Sequence, residues 1–287
     1  MATSGTSLRR RRLGVALREL REHASLTHQQ VGLTLDCSPS KISRIENGEV
    51  GVRRGDLLVL LDLYGLDDAG QREELLELAR ESKRRGGWWL KYGELSHPYL
   101  KLIQLEAEAA SIRGTELLLI PGLLQTEQYA RALISTASPD DPEEAERRVG
   151  IRMMRQEIFR RPNPPEFWVV LDEAALHRHV GGSETMKDQL LALAEASTLP
   201  NVTIQVLPFE HGEYEAMTGS FRVMRFPDHR DPDTVYLEGF SGTMYLDDVR
   251  DIRRYSLVFD HLCAAALSPQ LSHQRILAVA RNLTTHV

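Results

Sequence analysis

At 287 residues, 42% hydrophobic and 26% charged, the chain is long enough for two domains with a core each. No apolar run reaches membrane-span length and no signal-peptide core follows the basic start, so a cytoplasmic protein without membrane contact is expected. Cys37 and Cys263 are the only cysteines, which excludes a disulfide framework and a clustered thiolate metal site.

The net charge of −6 is unevenly distributed. Residues 1–54 hold ten Lys+Arg against five Asp+Glu, a balance of +5, so the remainder carries −11. A basic head on an acidic body meets a polyanion with one face and repels it elsewhere. For the Arg9–Arg12 run alone, a solvated charge cluster is an equal explanation.

Leu13, Ala16, Leu17, Leu20 and Ala24 recur at helical spacing and predict a first helix with one buried face. Thr27-His28-Gln29-Gln30 has capping-box form and opens a short second helix, with Val31 and Leu35 inward. Asp36-Cys37 makes the turn. Ser38 caps a third helix, and Pro39 takes its first position, where a missing N–H costs nothing. Ile42 and Ile45 point inward, and Gly48 stops the helix. Two short helices at this spacing form a helix-turn-helix. The outward face of the third helix carries Ser40, Lys41, Ser43, Arg44 and Asn47, side chains suited to base edges and phosphates. Further helices are expected over Asp56–Tyr64 and Asp67–Arg84, completing a five-helix domain over residues 1–85.

Lys83-Arg84-Arg85-Gly86-Gly87-Trp88-Trp89 marks a boundary, with residues 86–96 as a linker. The paired tryptophans read as packing anchors more readily than as a base-stacking platform. The second domain, residues 97–287, alternates helices and strands. A helix is expected over Pro98–Arg113, with Leu102, Leu105, Ala109 and Ile112 on one side, then an extended Leu117–Ile120 ended by Pro121-Gly122. Helices follow at Thr126–Thr136 and Pro142–Arg161. Strands are expected at Phe167–Leu171 and Val202–Leu207 with a helix, Glu184–Ser197, between them, and at Phe221–Phe226 and Thr234–Glu238. Helices Asp247–Ala266 and Pro269–Asn282 end the chain. The fold class is therefore an N-terminal all-α helix-turn-helix domain plus a larger α+β domain with a small, mainly antiparallel sheet.

Catalytic patterns are weak. His177 and His179 lie about 200° apart on a helix and cannot chelate one metal there, though on a strand they could. Gly239-Phe240-Ser241-Gly242 falls short of a nucleophile elbow because Thr243 takes the last place. Gly181-Gly182 has no phosphate-loop continuation, and Asp172-Glu173 read most simply as the start of a helix. No enzyme activity, metal or cofactor is expected.

Leu17-Arg18-Glu19-Leu20-Arg21, Ser25-Leu26-Thr27 and the run Ser38-Pro39-Ser40-Lys41-Ile42-Ser43-Arg44-Ile45-Glu46-Asn47-Gly48 together resemble the Xre/Cro-type repressors. The resemblance implies that Ser40, Ser43 and Arg44 face bases and that Lys41 and Asn47 meet phosphates of double-stranded DNA. Thr27, His28, Gln29 and Ser38 complete the implied DNA-binding set. Pro39 departs from the family, which often has a base-reading polar residue there. So does His28, where relatives have Gln on a phosphate; it reads equally as a surface residue without a role. Further on, Ile120-Pro121-Gly122-Leu123-Leu124-Gln125-Thr126, Leu171-Asp172-Glu173-Ala174-Ala175-Leu176 and Asn201-Val202-Thr203-Ile204-Gln205-Val206-Leu207-Pro208 resemble the C-terminal domain of actinobacterial WhiJ-like regulators. That resemblance implies a transcriptional regulator, of development or secondary metabolism, paired with a small BldB-like protein; a homodimer is expected because one helix-turn-helix module covers only one half-site. An antitoxin-like protein that sequesters such a partner and controls its own operon is the competing expectation.

Overall fold

The computed structural model describes residues 8–82, 88–93, 95–228 and 231–283. The basic and glycine residues of the expected boundary run, 83–87, lie outside these. The chain divides into two units by contact density: residues 1–108 with 227–232, and residues 109–226 with 233–287.

The first unit is helical: α1 Leu8–His23, α2 His28–Thr34, α3 Pro39–Glu46, α4 Arg54–Leu63, α5 Ala69–Glu81 and α6 His97–Glu108. Its core joins Leu13 and Leu17 of α1, Val31 of α2, Ile42 and Ile45 of α3 and Leu57, Leu60 and Leu61 of α4. Fully burying side chains of this size stabilises by about 1.5–3 kcal/mol each, before the entropy of ordering them is counted. A 3-10 turn, Trp88–Tyr92, stacks Trp88 edge-on against Trp89 and Tyr92, at centroid distances of 5.9 and 6.0 Å.

The second unit is α+β, built on one mixed six-stranded sheet of order β3-β2-β1-β4-β5-β6. The strands are β1 Ser111–Glu116, β2 Glu166–Asp172, β3 Val202–Leu207, β4 Phe221–Arg225, β5 Thr234–Gly239 and β6 Gly242–Leu246. β1, β2 and β3 run parallel, and the β1–β4, β4–β5 and β5–β6 pairs are antiparallel. The helices are α7 Glu127–Ala137, α8 Pro142–Arg155, α9 Ala174–His177, α10 Ser183–Ala196, α11 Val249–Ala265 and α12 Pro269–Asn282. α10 supplies the crossover that parallel β2 and β3 require. Val258, Phe259 and Leu262 of α11 pack on Val170, Phe221, Val223 and Val235 of one sheet face. The β3 edge is covered: Leu267 N–H donates to Val206 O, and Val206 N–H donates to Ser272 Oγ, both at 2.9 Å.

Two sequence expectations are corrected. The helix expected over Pro98–Arg113 ends at Glu108, and Ser111–Arg113 belong instead to β1. Ala110 N–H donates to Arg225 O, and Ala110 O accepts from Glu166 N–H, so sheet pairing overrides the helical period. Gly114 sits at the centre of this strand because a Cβ there would collide with the Phe221 carbonyl oxygen. Leu117–Ile120 joins no ladder: Leu117 N–H donates to Ser220 Oγ and Ile120 N–H to the Tyr129 hydroxyl. The second correction is β6, for which no strand was expected. Gly239-Phe240-Ser241-Gly242 is the hairpin turn between β5 and β6, far from the strand-to-helix geometry of a nucleophile elbow.

Candidate nucleic-acid interface

The helix pair α2–α3 is built by local chemistry. Thr27 is the N-cap of α2: its Oγ1 accepts from Gln30 N–H, while Gln30 Oε1 accepts from Thr27 N–H at 2.8 Å, a reciprocal capping box. Asp36, at φ 49°, turns the chain, and Cys37 N–H returns to Gly32 O at 2.8 Å. Ser38 Oγ caps α3 through Lys41 N–H, with Pro39 in the first turn. Gly48, at φ 71°, takes the left-handed conformation that ends the helix.

With Ile42 and Ile45 at 1% and 3% exposure, the opposite side of α3 faces solvent. Ser40, Lys41, Arg44 and Asn47 are exposed there, and Ser43 is half-buried beside them. Thr27, Gln29 and Ser38 are exposed next to this face. Lys41 Nζ lies 3.8 Å from Asp56, and Arg44 Nε lies 3.4 Å from Glu49; both cations remain nearly half exposed. Such exposed pairs are worth at most about 1 kcal/mol, so both cations can exchange partners for phosphate or base.

His28 is placed differently. Its ring is half-buried, and Nε2 lies 3.0 Å from Oε2 of Glu46, a buried carboxylate at the end of α3. Arg21 of α1 holds the same carboxylate with Nε at 2.7 Å from Oε1 and Nη2 at 3.0 Å from Oε2. Burial by itself would raise the Glu46 carboxyl, but the Arg21 and His28 hydrogen bonds outweigh it and hold the group below its ordinary value. The Arg21 guanidinium is raised in return, chiefly by its bond to Glu46.

Three cations outside the expected set border the face. Arg18 Nη2 donates to Asn47 Oδ1 at 2.5 Å, and Arg53 and Arg54 are exposed at the start of α4. The basic balance of residues 1–54 would have flagged all three. The Arg9–Arg12 run contributes less than its charge promised. Arg10 and Arg11 are buried, and Arg12 pairs with Glu74 at 2.6 Å.

In the second unit, His177 lies 3.6 Å from Glu173 and tilts on the Phe209 ring, whereas His179 lies near Ser183. The two imidazoles therefore serve separate partners, and no group of metal-ligating side chains occurs among the described residues. Ser197 and His273 lie 2.9 Å apart, but the Ser197 hydroxyl donates to Ala194 O. Ser197 therefore accepts from the imidazole, opposite in polarity to an activated nucleophile. Asp172 Oδ1 accepts from Ala174 N–H at the start of α9. Glu173 takes Arg275 at 2.6 Å and Phe209 N–H at 3.0 Å, so both acids are structural.

A capped α2–α3 pair with a polar outward helix on a five-helix core defines a helix-turn-helix protein, of the DNA-binding regulatory class, carrying an additional α+β domain. A family model described as a helix-turn-helix domain matches residues 12–75. A second, described as a domain of unknown function (DUF5753), matches residues 99–278, and the chain belongs to that family. No curated protein and no solved structure matches the chain. Among the described residues, no helix is long and apolar enough to cross a membrane.

Proposed function

We propose that this chain is a sequence-specific, cytoplasmic transcriptional regulator that binds double-stranded DNA as a homodimer, with α3 in the major groove. The observation that carries this reading is the outward face of α3. Ser40, Lys41, Arg44 and Asn47 are exposed together on a helix whose other side is locked into the core. Arg44 reads a base edge, and Lys41 and Asn47, with Arg18, meet phosphates. Selection of duplexes from a random pool by the full-length protein tests this. Enrichment of a two-fold motif, with half-sites about one helical turn apart or a multiple of it, supports the reading; recovery of unenriched sequence contradicts it.

The second unit receives a signal, and its occupant on this reading is a small basic protein, the role a BldB-like partner would fill in a developmental or antitoxin-like pair. A groove of about 570 Å³ runs between α11 and the β5–β6 end of the sheet, floored by Phe221, Leu237, Met244, Tyr255 and Val258. Phe240 stands fully exposed at its lip, and Glu215 and Glu238 lie on its rim beside Arg254. An apolar floor with carboxylates at the edge favours an apolar side chain flanked by Lys or Arg. Any such partner shifts DNA binding only by binding the two states unequally. A neighbouring-gene protein that co-purifies with the wild type and is lost from Phe240→Asp supports the assignment. Its retention by that variant, or a small molecule in its place, overturns it.

A further inference from the structure

Gly114, Arg222 and Tyr236 form one row across β1, β4 and β5. Phe221 and Val223 pack with α11, so Arg222 between them projects from the opposite face of the sheet. A Cβ on Gly114 would lie 3.1 Å from Arg222 Cγ, so the glycine leaves room for the arginine to lie over β1. Arg222 Nη2 donates to Glu116 Oε1 at 2.6 Å, and the guanidinium stands 5.7 Å from the centroid of the Tyr236 ring. The Tyr236 hydroxyl in turn donates to Glu238 Oε2 at 2.9 Å. Each carboxylate keeps a second oxygen with no hydrogen-bond partner among the described residues.

These four side chains line a cavity of about 480 Å³ at the carboxyl end of β1. β1 is where the strand order turns: β2 and β3 lie on one side of it, and β4, β5 and β6 on the other. In open α/β sheets the crevice at such a point is where small ligands bind, and this volume is that of a ligand pocket. Leu118 and Met217 also line the cavity while standing 53% and 55% exposed, so it offers apolar surface that nothing yet covers among the described residues. Its ionic lining is two carboxylates against one guanidinium, so a single positive charge would balance it.

We propose that this cavity binds a small organic monocation, a primary ammonium or amidinium group carried on an apolar body. The N–H groups of the cation donate to the open carboxylate oxygens of Glu116 and Glu238. Arg222 and the Tyr236 hydroxyl hold those carboxylates from behind. The body of the ligand lies against Leu118 and Met217, whose burial supplies the apolar share of the affinity. An anion meets an excess of carboxylate and a guanidinium that is already engaged. An uncharged alcohol of the same shape forgoes the charge-assisted hydrogen bonds. This site is distinct from the groove beside Phe240: it opens on the sheet face away from α11, although Thr218–Phe221 and Glu238 border both. It stands on the second unit alone and does not depend on DNA binding.

The test is calorimetric titration of the full chain with phenethylamine, hexylamine and benzamidine, and with phenethyl alcohol, hexanol and hexanoate as uncharged and anionic counterparts. Saturable binding of at least one amine or amidine is expected, with its uncharged counterpart weaker by about tenfold or more and hexanoate not bound. This comparison needs no variant. Glu238→Gln, at an exposed position, should weaken the bound cation by about tenfold, and Leu118→Arg should abolish its binding. Met244→Arg, which alters only the groove beside Phe240, should leave it unchanged. Failure of all three cations to bind overturns the proposal. So does equal binding of cation and alcohol, or preference for hexanoate. Binding that survives Glu238→Gln and Leu118→Arg together, or that is lost in Met244→Arg, also overturns it by placing the ligand elsewhere. None of these results bears on the DNA reading, which the duplex selection tests separately.

Discussion

Arg21 and Glu46, 25 residues apart, face each other as a bidentate pair at 2.7 and 3.0 Å, with their side chains 10% and 2% exposed. The pair ties the C-terminal end of α3 to α1, and Arg21 also donates to Leu26 O at the entry to α2. The outward direction of α3 is thereby fixed by the helix behind it.

Removing one partner should cost far more than the pair contributes net. Glu46→Ala leaves a buried guanidinium without its carboxylate and should destabilise the first unit by about 3–5 kcal/mol in urea unfolding. Arg21→Met with Glu46→Leu together should cost markedly less. An unchanged midpoint for Glu46→Ala would contradict the placement of this pair.

The same carboxylate predicts an acid limb. Glu46 is held below its ordinary value of 4.5, so its contribution to stability is present above that pH. It is lost as pH falls through the lower, folded-state value. Unfolding free energy measured from pH 6 to 2 should therefore fall less steeply below about pH 4.5 in Glu46→Gln than in the wild type. Equal slopes would remove Glu46 from the account of acid sensitivity.

Gly114 gives a prediction confined to the second unit. Gly114→Val forces a side chain against the Phe221 carbonyl and should cost about 1–3 kcal/mol or more, as overpacking does. Thermal unfolding should show a lowered Tm, while affinity for a selected duplex, measured well below the transition, stays unchanged. A Tm equal to the wild type would mean that β1 and β4 can separate at no cost.

The helix-turn-helix was legible because its signals are local. Thr27 with Gln30, Ser38 with Pro39, and the inward Val31, Ile42 and Ile45 lie within a few residues of the structure they specify. β1 was not legible. Leu102, Leu105, Ala109 and Ile112 continue a helical period, and the break after Glu108 is set by hydrogen bonds to Arg225 and Glu166, remote in sequence. β6 was hidden because its hairpin turn was read as a failed catalytic motif. For the candidate site, Lys41 and Arg44 could be placed from the periodicity of α3. The partner of His28 could not, since Glu46 is 18 residues away and belongs to another helix.

Symmetry gives a further expectation. One helix-turn-helix module covers one half-site, so affinity at physiological salt normally comes from a dimer. Sedimentation equilibrium should give a dimer, free or on the selected duplex. A monomer in both conditions would contradict homodimeric recognition.

The central claim is that the outward face of α3 reads DNA, and paired variants test it most directly. On the selected duplex, Arg44→Ala should cost on the order of 1–3 kcal/mol and relax sequence preference, because a base contact is lost. Lys41→Ala should weaken binding to selected and scrambled duplexes alike and reduce the salt slope by about one unit. The measurement is binding affinity for both duplexes across a salt series, for the wild type and each variant. Discrimination lost in Arg44→Ala and retained in Lys41→Ala is the predicted result. Wild-type affinities that survive in both variants would place the DNA contact elsewhere on the chain.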